Sequence, residues 1–331
     1  MKKFFKWAAL ILFVVIAGGI AILWTPDRSV EELRAEYAND ASQFIELDNG
    51  PTVHVRDEGP RDAPVLVLLH GSSASLHTWE PWVERLSSNY RVVTLDQIGH
   101  GLTGPHPDDD YSPASFVATV EGVAEALGLE RFVLGGNSMG GWVSWNYALA
   151  HPERLDGLIL VDASGAPESE PESIPIGFRI ASMPVIRQLT RKITPRSMVE
   201  TSLRQSVSNQ DMIDDAMIDR YYELILYPGH RRATGLRFRA ERTVATPESM
   251  ARLVMPTLVM WGDEDVLVPL SAGQWFAEHI PSARLVRYAD IGHIPMEEAP
   301  DRSAADVRAF LEEIYADESA EEAAPATEEA R

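Results

Sequence analysis

Short, continuous apolar runs punctuate the chain at Val65–Leu69, Arg91–Asp96, Phe132–Gly135, Leu158–Val161, Thr257–Trp261 and Leu285–Tyr288. Most are separated by stretches of helical periodicity: Trp79–Leu86, Ser115–Leu127, Gly141–Ala150, Ala272–His279 and Ala304–Ile314. Runs that are apolar throughout suit strands buried on both faces, the condition of a parallel sheet with helices on either side. The alternation therefore predicts an α/β fold with a doubly wound, mostly parallel sheet. Ahead of it, Phe44–Leu47 and Thr52–Arg56 flank the turn-forming Asp48-Asn49-Gly50-Pro51 and read as a β-hairpin that opens the sheet. The alternation stops between Ala163 and about Ala245. Helical segments such as Val185–Ile193 and Met212–Leu226 follow one another there without a strand, so an inserted helical cap is expected.

The ends have a different character. Trp7–Trp24 is an uninterrupted uncharged stretch behind Lys2, Lys3 and Lys6, close to the roughly 20 apolar residues a membrane-spanning helix needs. With positive charge on the cytoplasmic side, the expectation is a single-pass inner-membrane anchor, N-terminus inside and catalytic domain periplasmic or extracytoplasmic. A cleavable signal peptide ending near Gly19-Ile20-Ala21 is the alternative. Asp317–Arg331, by contrast, holds too few apolar residues to offset the entropy of ordering it. The expected division is then 1–24 anchor or signal peptide, 25–43 linker, 44–163 and 246–316 core, 164–245 helical cap and 317–331 acidic disordered tail. The 331 residues carry 29 Lys and Arg against 50 Asp and Glu, a net charge of −21, which argues against nucleic acid as a partner. With no cysteine, thiol nucleophiles, disulfides and Cys-ligated zinc are excluded.

The chemistry centres on Gly136-Asn137-Ser138-Met139-Gly140, which follows an apolar strand and opens a helix. A serine on so sharp a turn projects its hydroxyl from the sheet edge, and Gly136 and Gly140 leave room where larger side chains would collide. The helix N-terminus offers free N–H groups to a developing oxyanion, with the Met139 amide as first donor. The second donor is expected from the Ser72 amide in His70-Gly71-Ser72-Ser73, although Gly71 would also serve as a plain turn; His70 receives no catalytic role. Serine needs a base, and the base needs a group that fixes its tautomer. His293, in the loop after the last strand, fits the base best, with His100 as its rival. For the acid, Trp261–Pro269 supplies Asp263, Glu264 and Asp265, with Asp265 leading and Asp162 after the sixth strand as the rival. Asp108-Asp109-Asp110 lacks an accompanying His or Glu at ligand spacing and reads as a solvated loop, so no metal site is expected.

In this order, the His70-Gly71 turn, Asp96–Gly101, the Ser138 elbow, Gly262–Pro269 and Gly292-His293 resemble the α/β-hydrolase superfamily from about Phe44 to Leu311. The resemblance implies an eight-stranded sheet, a cap after strand six, a triad of Ser138, Asp265 and His293, and no metal or organic cofactor. Asp265 is favoured because the family's acid usually sits three residues after the glycine that here is Gly262. Serine at the elbow sets this chain apart from the haloalkane dehalogenases and epoxide hydrolases, which carry aspartate there. Gly136–Gly141 looks like the elbow of meta-cleavage-product C–C hydrolases and of many esterases, although Ser72-Ser73-Ala74-Ser75 departs from the Gly-Pro-rich continuation common in the former.

The expected activity is that of a membrane-anchored serine carboxylesterase or lipase-like enzyme. A C–C bond hydrolase and a non-catalytic anchored binding module are the alternatives. A small-molecule ester or lipid-like substrate is the expected partner, along with the membrane through the N-terminal helix. From 164 to 247 the chain holds 12 Lys and Arg against 10 Asp and Glu, and Arg231, Arg232, Arg237, Arg239 and Arg242 cluster at the end of that segment. An anionic substrate group or lipid headgroup held by one of them is one reading of the cluster, and a solvated helix face is the expected one.

Overall fold

The computed structural model describes residues 4–7, 10, 18, 19, 23–48, 50–167 and 192–322, with side chains described to 316. Eight strands form one sheet in the order β1-β2-β4-β3-β5-β6-β7-β8. Strands β1 (Ser42–Glu46) and β2 (Thr52–Glu58) make the expected hairpin, and β2 runs antiparallel to β4 (Arg91–Leu95). From there the ladder is parallel through β3 (Val65–Leu69), β5 (Phe132–Asn137), β6 (Leu155–Val161), β7 (Thr257–Gly262) and β8 (Ala283–Tyr288).

Alternate residues of the central strands feed two separate cores, as a strand's twofold period requires. Val67, Leu69, Leu134, Leu160 and Val259 pack toward one side. There they meet α3 (Pro113–Ala126), α4 (Met139–Ala150) and α9 (Leu270–His279) through Phe116, Val120, Val143 and Phe276. Leu66, Leu68, Val133, Ile159 and Met260 pack toward the other, against Trp82 and Leu86 of α2 (Glu80–Leu86) and Val307 and Leu311 of α11 (Pro300–Glu322), which follows the single turn α10 (Pro295–Glu298).

Between β6 and β7 the described chain holds α5 (Arg196–Arg204), α6 (Asp215–Ile225), α7 (His230–Arg237) and the single turn α8 (Pro247–Met250). The helical reading of Val185–Ile193 lies almost wholly outside the described residues.

Both ends differ from expectation. Residues 25–43 are no free linker. A capping box of Ser29 and Glu32 starts α1 (Val30–Tyr37), and its Leu33 is fully buried. Ahead of that helix, Thr25 N–H donates to Lys192 O at 2.7 Å and Arg28 N–H to Leu226 O at 3.0 Å, strapping the segment to the cap. At the other end α11 runs on to Glu322, six residues into the segment expected to be disordered. Most of 1–24 lies outside the described residues. Among those described, no helix is long and apolar enough to cross a membrane. That finding overturns the expected single-pass inner-membrane placement with an extracytoplasmic domain: apolar composition near the required length is not itself a spanning helix.

Candidate active site

Strand β5 ends at Asn137, and Ser138 turns the chain into α4 with φ 54° and ψ −115°. A side-chain-bearing residue held there stores of order 1–3 kcal/mol. The neighbouring glycines explain how the turn closes. A Cβ on Gly136 would lie 2.3 Å from the Gly140 carbonyl, and one on Gly140 would lie 2.0 Å from the Leu69 oxygen. The strain is held by backbone bonds on both sides of the serine. Ser138 N–H donates to Val161 O, and Ser138 O accepts from the N–H groups of Trp142 and Ser164, each at 3.0 Å.

The loop after β8 brings His293 beside this turn. Its carbonyl accepts from Asn137 Nδ2 at 2.9 Å, so the residue preceding Ser138 tethers the histidine loop to the elbow. From the cap, Ser206 O accepts the His293 N–H at 2.8 Å. Glu298 takes the N–H of Gly292 on one carboxylate oxygen (2.9 Å) and those of Ser208 and Asn209 on the other (2.9 and 2.6 Å). The sequence reading missed both Asn137 and Glu298. A lone amide closing an otherwise apolar strand, and an acidic pair just after the histidine, were the available signals.

His293 Nδ1 donates to Asp265 Oδ2 at 2.6 Å, while Asp265 Oδ1 accepts from the backbone N–H of Leu267 (2.7 Å) and Val268 (3.1 Å). Both carboxylate oxygens are therefore committed. Asp162, the rival acid, is fully buried with φ 44°, and its Oδ1 accepts from Gly262 N–H at 2.9 Å. Among the described residues its Oδ2 has no hydrogen-bond partner, and burial together with the adjacent Asp265 carboxyl pushes its pKa well above the usual carboxylate range, which favours the neutral form at Asp162. Donor atoms of Asp162, Asp265 and His293 lie within 4.8 Å of one another. The 2.6 Å between Nδ1 and Oδ2 is a hydrogen-bond length, however, shorter than the about 3.3 Å that two ligands on one tetrahedral zinc would keep.

No hydrogen bond joins Ser138 Oγ to His293 Nε2, and neither atom is bonded elsewhere among the described residues. In ligand-free active sites such contacts commonly tighten only when substrate binds.

The two residues expected to supply the oxyanion donors touch through their side chains. Ser72 Oγ donates to Met139 Sδ at 3.3 Å. Met139 begins α4, where an N–H has no partner within its helix, and the Ser72 N–H has none among the described residues. A Cβ on Gly71 would stand 3.2 Å from Ser138 Cβ, so this loop abuts the elbow. Beneath it, His70 is fully satisfied: Nδ1 donates to Gly71 O at 2.7 Å and Nε2 accepts Gln97 N–H at 3.0 Å. Burial lowers its pKa and keeps it neutral. His100, the rival base, has no carboxylate partner among the described residues; its ring stands 5.0 Å from that of His70.

A second Ser-His-Asp constellation, unforeseen from sequence, joins Ser42 Oγ to His54 Nε2 (2.8 Å) and His54 Nδ1 to Asp96 Oδ2 (2.7 Å). Ser42 sits in an ordinary edge strand, where its Oγ also accepts from Asn39 N–H, and Asp96 accepts from the amides of Leu76 and Leu102. With no strained turn and no helix N-terminus beside Ser42, this set pins the hairpin and the β4 loop together. Asp109, in the acidic triplet, pairs with Arg232 of the cap.

The model for the α/β-hydrolase fold matches residues 64–300. A 2-hydroxymuconate semialdehyde hydrolase of Pseudomonas putida is 29% identical, over 82% of this chain and 94% of its own. Among solved structures, a meta-cleavage product hydrolase from Pseudomonas fluorescens superposes with a TM-score of 0.71 at 25% identity, covering 82% of this chain and 97% of that one. An esterase from a Rhodococcus species superposes at 0.70 and 26% identity, covering 83% and 99%.

Proposed function

We propose, from the premise that this chain belongs to the α/β-hydrolase fold family, that it is a serine hydrolase acting on carboxylic esters through an acyl-enzyme. Ser138 Oγ attacks the ester carbonyl as its proton passes to His293 Nε2, while Asp265 holds the Nδ1–H tautomer and stabilises the imidazolium. The Met139 and Ser72 amides receive the oxyanion. Collapse expels the alcohol with the proton from His293. Water then attacks the acyl carbonyl and gives one of its protons to His293, and the histidine passes that proton to Ser138 Oγ as the acid is released. The observation that carries this reading is the double fixing of His293, through Nδ1 to Asp265 at 2.6 Å and through its carbonyl to Asn137 beside the serine.

A second reading, C–C hydrolysis of a meta-cleavage product, has support from the elbow sequence and from the names of the relatives. The two readings separate in a paired assay of p-nitrophenyl esters of graded chain length against such a product; preference for the latter replaces ester cleavage. The acyl-enzyme itself is tested with a fluorophosphonate probe. Folded protein should label, Ser138→Ala should not, and Ser42→Ala should label as the parent does. Folded parent protein that stays unlabelled and cleaves neither substrate would make the chain a binding module with an idle triad.

A further inference from the structure

The five clustered arginines separate by what each one meets. Arg231 pairs with Asp27 and Arg232 with Asp109; Arg239 Nε donates to Gly235 O at 2.9 Å; Arg242 lies over the Trp142 and Phe238 rings, at 6.0 and 5.9 Å. Arg237, at the end of α7, differs from them all. It is 2% exposed, yet among the described residues its Nε and Nη2 have no hydrogen-bond partner. Its one hydrogen-bond contact among those residues is His100 Nδ1, at 3.4 Å from Nη1. That nitrogen lies closer to Ile98 O, at 3.1 Å, and if it donates its hydrogen there it has no lone pair left for the arginine.

Nε and Nη2 form the guanidinium edge that grips a carboxylate with two parallel N–H bonds. Elsewhere in this molecule the same edge does so. Arg91 holds Asp57 at 3.0 and 2.8 Å, and Arg287 holds Asp263 at 2.8 and 3.0 Å. Arg237 has the edge without the carboxylate, and an unpaired buried cation is costly to keep. Its place in the fold is next to the candidate site. The His100 ring separates it from His70, whose following residue abuts Ser138, and Thr243, six residues on, accepts a hydrogen bond from Trp142 Nε1 on the elbow helix at 2.9 Å.

We infer that the Nε/Nη2 edge of Arg237 binds a carboxylate carried by the substrate, so that the preferred substrate is an acid bearing the scissile carbonyl at a distance from its anionic end. This rests on the serine-hydrolase reading above. Both nitrogens are covered in the ligand-free molecule, so the carboxylate enters as α7 shifts.

The test compares mono-4-nitrophenyl adipate with 4-nitrophenyl hexanoate, esters of equal acyl length that differ in a terminal carboxylate. The full chain should favour the adipate ester in kcat/KM by about ten- to a hundredfold, the scale of a desolvated charge-assisted pair. Arg237→Met should bring that ratio near one and Arg237→Lys should restore part of it. A merely structural arginine would move both esters together and leave the ratio intact. Free adipate gives an independent readout. It should raise the Tm of the parent but not that of Arg237→Met, whose own Tm should equal or exceed the parent's because an unpaired buried charge is gone. Ser138-dependent hydrolysis with no adipate preference, or an Arg237→Met protein that unfolds at lower temperature with the preference unchanged, overturns the inference alone. Failure to cleave either ester sinks the hydrolase reading beneath it.

Discussion

Replacing Asp265 by asparagine poses the sharpest question about which acid serves His293, because the surrounding bonds dictate how the new amide must lie. Asp265 Oδ1 accepts two backbone N–H groups, from Leu267 and Val268. The amide oxygen of Asp265→Asn has to stay there, since turning the amide over would set its NH2 against two donors. The NH2 then faces His293 Nδ1, where the carboxylate now accepts at 2.6 Å. A donor in that position forces Nδ1 to present its lone pair, leaving Nε2 protonated and unable to take the serine proton. A wrong-tautomer imidazole lowers kcat by about 10⁴-fold in the best-studied triad, so a loss of about 10³ to 10⁴ in kcat/KM is expected here, equivalent to about 4 to 5 kcal/mol.

Asp162→Asn is the matched control. Burial and the neighbouring Asp265 carboxyl already favour the protonated form of Asp162, and an amide keeps both the acceptor for Gly262 N–H and a donor on the other side. Its kcat/KM should fall by no more than about threefold, within the scale of a single neutral hydrogen bond. The assay is initial-rate hydrolysis of a p-nitrophenyl ester by both variants, with thermal melts to confirm folding. A folded Asp265→Asn enzyme with near-parental activity, alongside a disabled Asp162→Asn, would refute the assignment and hand the role to Asp162.

Gly140→Ala puts a Cβ 2.0 Å from the Leu69 carbonyl oxygen, which is backbone of a central strand and cannot rotate aside. A cost of about 3 kcal/mol and a Tm lower by roughly 5 °C or more are expected, with fluorophosphonate labelling lost as the elbow shifts; a melt and labelling rate equal to the parent's would contradict the close packing. On pH, burial brings His77 and His230 down to about 4. Between that value and the unfolded value of about 6.5 the unfolded chain binds the extra protons, so stability is full above that window and falls as pH drops through it, by up to about 3 kcal/mol for each group. Urea midpoints at pH 7, 6 and 5 should therefore decline in order. A flat series would mean that these imidazoles are not kept neutral. The Asp96 carboxyl, held below its ordinary range mainly by its hydrogen bond and charge interaction with His54 against the cost of burial, adds a loss only at still lower pH.

What was legible in the sequence was local. Val65–Leu69 is a strand over the very residues its composition marks, because five apolar side chains in a row have no polar face to offer a helix surface. The Ser138 turn was equally plain, since the residues that permit it are adjacent in the chain. Strand ends were harder. β6 begins at Leu155 rather than Leu158, through Asp156 and Gly157, where Arg131 takes the Asp156 carboxylate and a Cβ on Gly157 would meet Ile314 Cδ1 at 2.7 Å. Nothing within the segment announces those partners.

The same distinction governs the site. Ser138, Asp265 and His293 could be nominated one by one because each follows a strand. Which of them would meet depended on contacts spanning the fold. The proposal of Asp265 over Asp162 rests on a pair of backbone N–H groups that orient one carboxyl and on the lone Gly262 amide that meets the other. The arginine cluster carries this furthest: of five residues alike in the sequence, two pair with Asp27 and Asp109, far from them in the chain, and one, Arg237, is left with its Nε and Nη2 unbonded among the described residues. Charge counted along a segment therefore says little about a binding site. What distinguishes Arg237 is that folding buries its carboxylate-binding edge and supplies no carboxylate from within the described chain, so the missing acceptor, rather than the basic run, is what points to the substrate.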